Sequence, residues 1–535
     1  MKRWNGWGDE QTTYPLPEFA KNSLENLLGE ADTPPDASLE QVIKSVPESR
    51  LPNIGTISIE PEERLRHSCG QSLPDWISLR SGRIPSFPDG VLYPISDDQI
   101  QKAFDLALSN QLILIPYGGG TSVVRHINPP QSDTPVLTID LSNLDKIVDF
   151  DETSLLATFE AGIKGPHLEQ RLNELGYTLG HFPQSFEFST LGGWVATRSS
   201  GQQSYYYGRI EDLFRGGHLI TPQGSIDFPS FPASAAGPDL RHLVLGSEGR
   251  YGIISRATVA IKPIPEFEEF YGYFFKEWET GMLAVRDLAQ KEIQLSMVRL
   301  SDAQETETTL LLTGKRNLIH WAGFGLEKLG YRQKRCLLII GVTGDRDRTI
   351  RSRKAATHIC RKNGGLYTGK FIGRTWRKSR FLVPYLRNSL WESGYALDTL
   401  ETAVPWSKVQ LVKDKTIEAI TSANHNQNER VLVFGHLSHV YPTGASIYIT
   451  YIFRRSYDPD ENIHRWHEMK SAASKAIINH GGTISHQHGV GRDHARYLEN
   501  EKGKIGINLL SKIGQFLDPE DLLNRGVMIE DQSNN

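Results

Sequence analysis

Three glycine-rich loops, spread over about 140 residues, constrain the fold of this chain more than any other feature of its sequence. The first, Pro116–Ser122 (PYGGGTS), directly follows the apolar run LILI at 112–115. An apolar run of that length is typical of a buried strand, and the consecutive glycines permit backbone conformations with positive φ. Backbone N–H groups in such a loop can converge on an anion, and Thr121 and Ser122 add hydroxyl donors. The loop therefore predicts either a site suited to a pyrophosphate or an ordinary tight turn.

Two further loops follow in order along the chain. The second begins at Pro183 and extends to Gly208, and the third covers Gly246–Ile254. Small and hydroxylated side chains recur in the second loop, so a flat aromatic or ribityl group could approach its backbone closely. Each loop alone is a weak indication of a ligand, whereas their order and spacing together are a strong one. The first loop does not have the GxGxxG spacing of a Rossmann site.

The chain has 535 residues, and at roughly 100–200 residues per domain this length predicts two to four domains. Prolines interrupt residues 1–87, which we predict to be a helical extension that wraps onto the rest. Short β-rich runs between glycine turns follow over 88–265, and a second mixture of strands and helices over 266–470. Residues 471–535 form a C-terminal segment. The overall fold class is predicted to be α+β.

Two helices can be predicted individually. Asp97 begins one of them, because acidic residues favour a helix N-terminus, and Ile100, Phe104 and Leu108 follow at intervals of four residues. The other is an amphipathic helix over roughly Ile505–Phe516, which ends before an Asp-Pro pair.

Composition excludes several classes of protein. The chain carries a net charge of −4, which gives no reason to expect nucleic acid as a partner. No window approaches 18 consecutive apolar residues, so no spanning helix is predicted. Three widely separated cysteines argue against a disulfide framework. The first ten residues lack the apolar stretch of a secretory signal.

One stretch is strongly basic, with twelve Lys or Arg against two Asp between Asp345 and Arg380. Such a run is either a solvated surface or a face that meets anionic lipid or a substrate phosphate.

Several segments carry a family likeness. The three loops, with PQSFEFSTLGGWVATRSSG at 183–201 and GSEGRYGIIS at 246–255, resemble the FAD-binding domain of the vanillyl-alcohol oxidase superfamily. Four other segments are similar to one branch of it, the alkylglycerone-phosphate synthase family: RWNGWG at 3–8, PYLRN at 384–388, DTLETAVPW at 398–406 and SHQHGVGR at 485–492.

The resemblance implies an FAD domain of two α+β subdomains under an α+β cap domain, with the C-terminal segment returning to the FAD domain. It implies non-covalent FAD, since PYGGGTS has no histidine for attachment. The residues it assigns to FAD lie in the three loops: Pro116, Gly118, Gly119, Gly120, Thr121, Ser122, Pro183, Ser185, Ser189, Thr190, Gly192, Gly193, Thr197, Ser200, Gly201, Tyr207, Glu248, Gly249, Gly252, Ile253 and Ile254.

The reaction that the resemblance implies exchanges the acyl group of acyl-dihydroxyacetone phosphate for a fatty alcohol, without net redox change. Tyr448 matches the family's acid/base tyrosine. A phenol with an ordinary pKa near 10 needs a positive neighbour to transfer a proton near neutrality, and His486 and His488 could supply that charge. Arg387 matches the arginine expected to hold a carboxylate with its bidentate fork.

Two other polar residues are candidates for contacting the substrate. Arg299 could be a second cation in the site or one half of a structural ion pair. His181 directly precedes the second loop.

One position departs from the family pattern of three consecutive histidines, because Gln487 stands between His486 and His488. Glutamine does not titrate, so the departure keeps an alternative open: an FAD-dependent oxidoreductase acting on a 2-hydroxy acid or an alcohol. No metal site is predicted, since the sequence offers no obvious third ligand for the two histidines.

The predicted partners are a small-molecule or lipid substrate and no nucleic acid. The predicted location is cytoplasmic, with peripheral membrane association and a homodimer both left open.

Overall fold

The computed structural model describes residues 1–52, 54–312, 325–425 and 429–530. Its α-helices are Glu18–Leu28, Leu39–Ser45, Pro61–Arg66, Leu73–Ser81, Asp97–Asn110, Gly165–Glu174, Leu191–Thr197, Ser204–Tyr207, Ile210–Leu213, Arg241–Val244, Trp278–Gln290, Ala303–Leu312, Arg346–Lys362, Phe371–Ser379, Leu386–Glu392, Val409–His425, Pro459–Asn479 and Leu498–Leu517.

The strands are, in order, β1 Ile57–Ser58, β2 Gly90–Leu92, β3 Ile113–Tyr117, β4 Val136–Asp140, β5 Ile147–Asp151, β6 Leu156–Glu160, β7 Tyr177–Thr178, β8 Phe214–Thr221, β9 Gly224–Phe228, β10 Ile253–Ala260, β11 Lys262–Pro263, β12 Phe267–Phe275, β13 Met297–Ser301, β14 Cys336–Gly344, β15 Leu366–Gly369, β16 Tyr395–Pro405, β17 Val431–Val440 and β18 Gly444–Arg454.

Two sheets carry the first and third glycine-rich loops at the ends of their strands. The first has the order β1-β2-β4-β3, in which β3 and β2 are both parallel to β4. The second has the order β5-β6-β10-β8-β9 and is antiparallel. The first loop leaves the end of β3, and the third loop leads into β10, so the two sheets place these loops on neighbouring elements.

A larger antiparallel sheet follows, with seven strands in the order β15-β12-β14-β13-β17-β18-β16. Its strands β12 and β14 are almost wholly buried and supply much of the largest hydrophobic core. Helices and sheets are mixed through both halves of the chain, so the α+β prediction is confirmed.

The helix predicted from Asp97 is present as Asp97–Asn110, and the Ser96 hydroxyl caps it by accepting a hydrogen bond from the backbone N–H of Gln99. Ile100 and Phe104 are buried, as the pattern predicts. Leu108 is 44% exposed, so the prediction for the third position of the apolar face is wrong. Ala103 and Ala107 are buried instead, so the buried face of the helix passes through position 107 and not through 108.

The amphipathic helix predicted over Ile505–Phe516 lies within Leu498–Leu517, which is interrupted at Gly503. Ile505, Leu509 and Phe516 are exposed, whereas Leu510, Ile513 and Leu517 pack in a cluster with Tyr251.

The two ends of the chain are tied to distant elements. The backbone of Trp7 exchanges two hydrogen bonds with the Asn388 side chain, which joins the RWNGWG and PYLRN segments. Leu114 in β3 donates to the carbonyl of Leu522 and accepts from the N–H of Asn524. Lys2 donates to the carbonyl of Gly119 at 2.9 Å, so residues from both ends of the chain lie beside β3 or the loop that follows it. Among the described residues, no helix has the length and apolar character needed to cross a bilayer.

Candidate active site

A cavity of about 1130 Å³ lies between the glycine-rich loops and the seven-stranded sheet. It is lined by residues from all three loops and by side chains from β13, β16, β17 and β18. Helix Leu386–Glu392 and the 485–492 segment add further lining residues. The cavity therefore brings together segments that are more than 300 residues apart in the sequence.

Most of the residues predicted to bind FAD line this cavity. They are Pro116, Gly118, Gly119, Gly120, Thr121, Ser122, Pro183, Ser185, Ser189, Thr190, Gly192, Gly193, Thr197, Ser200, Glu248, Gly249, Gly252 and Ile254.

Gly201, Tyr207 and Ile253 lie behind the cavity wall, so the structure does not support their assignment to FAD. A Cβ on Gly201 would meet the backbone nitrogen of Phe182 at 2.6 Å, and the Tyr207 ring covers Gly180. Ile253 packs in the core beside the first sheet. These residues shape the loops from within.

The first loop has the features that a pyrophosphate requires. Within the described part of the chain, the backbone N–H groups of residues 119–122 donate no hydrogen bond. Gly120 adopts a positive φ of 67°, which glycine tolerates best. A Cβ on Gly119 would collide with the carbonyl oxygen of Phe188, so the first and second loops touch through bare backbone. Free donors and close approach of backbone together fit a phosphate-bearing cofactor.

Glu248, in the third loop, uses its carboxylate to bind the backbone of the 485–492 segment. Its carboxylate accepts hydrogen bonds from the N–H groups of Val490 and Gly491, at 2.6 and 2.7 Å, and lies 3.0 Å from the His126 ring. It therefore anchors the 485–492 segment to the third loop, which fixes where His488 enters the cavity.

Tyr448 lies on β18 and lines the cavity with Gln487 and His488. Its ring stacks on His436 at 4.9 Å between centroids and meets His488 edge-on at 5.8 Å. His436 is its partner across the β17–β18 ladder, so the stacking follows directly from the strand register. The structure thus brings Tyr448 and His488 together.

The charge environment of Tyr448 differs from the sequence prediction. Burial raises the pKa of the phenol well above its ordinary value, and burial also lowers the pKa of His488, so that ring is neutral. His486 does not line the cavity. The prediction that the two histidines lower the pKa of Tyr448 is therefore wrong: desolvation outweighs the charges nearby, and the phenol keeps its proton.

Arg387 faces the cavity with unused donors. Its side chain stacks over Trp76 at 4.3 Å, and Nη1 donates to the carbonyl of Gln71 at 2.5 Å. Nε and Nη2 are buried and find no partner in the part of the chain that the structure describes. Burial lowers the pKa of Arg387 to about 10, which leaves the group charged at neutral pH. A guanidinium held flat with free N–H groups is suited to an anionic ligand.

Arg299 also lines the cavity but is already paired. Its Nη2 lies 2.8 Å from the Glu305 carboxylate and 3.2 Å from Nδ1 of His436. Burial raises the pKa of Glu305, but the charges of His436 and Arg299 outweigh that effect and lower the pKa to about 2. Of the two alternatives left open by the sequence, the structure contains the ion pair.

His181 does not line the cavity. Its ring packs against Trp194 at 4.8 Å, and Nε2 hydrogen-bonds to the Ser199 hydroxyl at 3.1 Å. Burial lowers the pKa of His181 to about 3. This placement does not support the prediction that His181 contacts substrate. The ring instead packs against Trp194 and Ser199, which belong to the second loop.

Sequence reasoning missed the polar residues that β17 contributes. His436, Ser438 and His439 line the cavity, although they were not predicted. The available signal was a pair of polar residues at alternate positions, 436 and 438, in the otherwise apolar strand VLVFGHLSHV. A register shift between Leu437 and Val440 turns His439 towards the same side.

Two family models match the chain. Residues 88–227 match the model described as "FAD binding domain", and residues 264–528 match "FAD linked oxidases, C-terminal domain". These matches confirm the prediction that the chain is a flavoenzyme that uses FAD.

Several curated proteins are similar over almost the whole chain. An alkyldihydroxyacetonephosphate synthase of Caenorhabditis elegans is 30% identical, covering 99% of this chain and 95% of the relative. One of Dictyostelium discoideum is 29% identical, covering 98% and 92%. An uncharacterized FAD-linked oxidoreductase of Escherichia coli is 28% identical, covering 82% and 89%.

Solved structures agree with these matches. A crystal structure of an alkyldihydroxyacetonephosphate synthase superimposes with a TM-score of 0.84 at 26% identity, covering 98% of each chain. A p-cresol methylhydroxylase, with a TM-score of 0.66 at 13% identity, shares the fold alone. The match at 30% identity over almost the full length of both chains shows that this chain belongs to the alkyldihydroxyacetonephosphate synthase family.

Proposed function

We propose that this chain exchanges the acyl group of acyl-dihydroxyacetone phosphate for a fatty alcohol, with FAD as its cofactor. The observation that carries the proposal is the pair of unused donors on Arg387, which face the same cavity as Tyr448. A leaving fatty acid is a carboxylate, and a charged planar fork binds that group best. When bound, FAD supplies the reacting ring to which the carbon under exchange must be presented.

The residues of the chain have distinct tasks in this proposal. Arg387 binds the carboxylate through Nε and Nη2. Tyr448 keeps its proton because burial raises its pKa, and its position in the cavity allows it to exchange that proton with substrate. His436, stacked beneath Tyr448, is held by Glu305 at 2.8 Å, and Arg299 completes that cluster. These contacts hold His436 in place, and the stacking on His436 in turn orients the Tyr448 ring.

The rest of the cavity is suited to long alkyl chains. Leu24 and Leu27 line it from helix Glu18–Leu28, and Phe434 and Ile452 line it from the sheet. Burial of each methylene of an alkyl chain against such walls contributes about 0.8 kcal/mol, so the cavity can retain lipid substrates.

The exchange can be tested against the oxidoreductase alternative, which the similarity to FAD linked oxidases and the presence of Gln487 favour. We expect the FAD-loaded protein to convert acyl-dihydroxyacetone phosphate and an isotopically labelled fatty alcohol into labelled ether product and one free fatty acid per turnover. The flavin should end oxidised. Arg387→Lys keeps the charge but loses the fork, so it should slow the exchange strongly, whereas exposed Arg83→Lys should not. Lasting anaerobic bleaching by a 2-hydroxy acid, without ether formation, would contradict the proposal.

We also propose that the protein draws its substrates from the cytoplasmic surface of a membrane. Leu27, Leu329, Phe371 and Val383 are exposed and at the same time line the cavity, so they form an apolar mouth. The basic helix Phe371–Ser379 carries part of this mouth. An apolar rim with basic residues beside it is suited to an anionic lipid surface.

Sedimentation with vesicles of phosphatidylserine and phosphatidylcholine tests this contact. Each exposed apolar side chain that enters lipid contributes about 1.5–3 kcal/mol, so the double variant Phe371→Ser, Val383→Ser should bind at least about 10-fold more weakly. Exposed Phe231→Ser, in a distant loop, should bind as the parent does. Raising the salt to about 1 M shortens screening to about 3 Å and should also weaken binding. Binding that is insensitive to both the salt and the double variant would contradict the proposed contact.

A further inference from the structure

We infer that Glu401, His439 and His486 form a binding site for one divalent transition-metal ion of the Zn²⁺ type. Their ligating atoms all lie within 4.8 Å of one another. Atoms bound to one such ion at about 2 Å lie no more than about 4 Å apart, so side-chain movements of less than about 1 Å would close the set. Two imidazoles and a carboxylate are a donor set that Zn²⁺ accepts.

Three separate elements deliver these side chains to one place. Glu401 is on β16, His439 is near the end of β17, and His486 is in the loop that follows helix Pro459–Asn479. Glu401 is 2% exposed and His486 is 7% exposed, while His439 is half-buried and borders the cavity. A carboxylate and a histidine buried to this degree need partners.

Their own partners are incomplete. Nδ1 of His486 lies 3.0 Å from Oε1 of Glu401, but the two atoms do not form a hydrogen bond. Oε2 of Glu401 is also buried without a hydrogen-bond partner. A buried acceptor without a partner destabilises the folded protein, and it does so more strongly if it is charged. If both atoms ligate one ion, each directs a lone pair at the ion and not at the other atom, so the two lie close together without forming a hydrogen bond.

The surrounding groups orient the ligands. The Tyr441 hydroxyl hydrogen-bonds to Nε2 of His486 at 2.7 Å, which leaves Nδ1 as the ligating nitrogen. The Ser438 hydroxyl donates to Oε1 of Glu401 at 3.2 Å. Metal-binding histidines and carboxylates ordinarily have such outer hydrogen bonds. Arg209, whose Nη2 donates to the carbonyl of His486, brings positive charge, and Glu211 offsets it at 3.5 Å.

The chemistry of the site follows from the number of its ligands. Three protein ligands leave one tetrahedral position for water or for an oxygen atom of a molecule in the cavity that His439 borders. Glu401 is in the DTLETAVPW segment and His486 in SHQHGVGR, so the ion would also join these two segments. The inference does not rest on the proposed acyl exchange, because binding of the ion requires no substrate.

Cobalt titration tests the inference. The FAD-loaded protein is treated with a chelator, desalted and titrated with Co²⁺ alone. We expect one Co²⁺ per chain, with tetrahedral d–d absorption at wavelengths longer than those the flavin absorbs, and displacement of Co²⁺ by Zn²⁺. Glu401→Gln and His439→Ala should each weaken binding by more than about 10²-fold, and Tyr441→Phe by about 10- to 100-fold.

Exposed His464→Ala is the matched control and should bind Co²⁺ as the parent does. Retained flavin absorbance reports that each variant is folded, and if Glu401→Gln loses its flavin, His439→Ala decides the question. Absence of tetrahedral bands, or bands of unchanged affinity in His439→Ala, would overturn the inference.

Discussion

Replacement of Tyr448 by phenylalanine is expected to lower turnover by a factor of about 10²–10⁴ while FAD remains bound. The change removes only the hydroxyl, and the ring keeps its stacking on His436 and its edge contact with His488. Because burial keeps the phenol protonated, the substitution removes a proton donor from the cavity. Steady-state turnover and flavin content per chain measure the two parts of the expectation.

Two further variants decide whether Tyr448 acts alone. Exposed Tyr457→Phe removes a hydroxyl elsewhere and should leave turnover unchanged. His488→Ala should be similarly damaging, and the double variant little worse than either single one, since residues that act as a unit are not additive. Full turnover by Tyr448→Phe, or simple additivity with His488→Ala, would refute this role.

Substitution of Gly119 by valine is expected to abolish retention of the flavin. The new Cβ would collide with the carbonyl oxygen of Phe188, which belongs to rigid backbone of the second loop. Overpacking of this kind typically costs about 1–3 kcal/mol and would push apart the two loops that hold the cofactor. The affinity for FAD should fall by about 10²-fold, which corresponds to about 2.7 kcal/mol.

Gel filtration followed by flavin absorbance per chain measures this loss. The parent should elute yellow and release its colour on acid precipitation, because the first loop offers no histidine for attachment. Gly55→Val is a suitable control, since a Cβ at Gly55 meets nothing within 4 Å. Colour retained by Gly119→Val would show that the two loops do not clamp the cofactor, and colour left in the parent's precipitate would show covalent attachment.

Gly119 also illustrates how a residue can be selected for an incomplete reason. Consecutive glycines indicate backbone freedom, yet in the first loop the positive φ belongs to Gly120. Gly119 is required because the backbone of Phe188 approaches it. Close approach between loops separated by about 70 residues is a tertiary property, which no local pattern contains.

The sequence by itself determined the features that rest on short-range sterics and on motif spacing. The β3 strand with its loop and the helix from Asp97 follow from residues close together in the chain. The family, FAD and the choice of Tyr448, Arg387 and His488 as cavity residues follow from the resemblance of short motifs. Each depends on a backbone conformation or a side chain that the local segment specifies.

Only the tertiary structure decided which polar groups are already paired and which are free. From the sequence, Arg299 and His181 were both candidates for contacting the substrate. In the structure, Arg299 forms an ion pair with Glu305, and His181 hydrogen-bonds to Ser199. Glu401 and His439 meet His486 only because strand register and a β17 irregularity align three distant segments. The physical reason is that pairing and desolvation depend on distances of a few ångströms, and folding sets these between residues the chain keeps far apart.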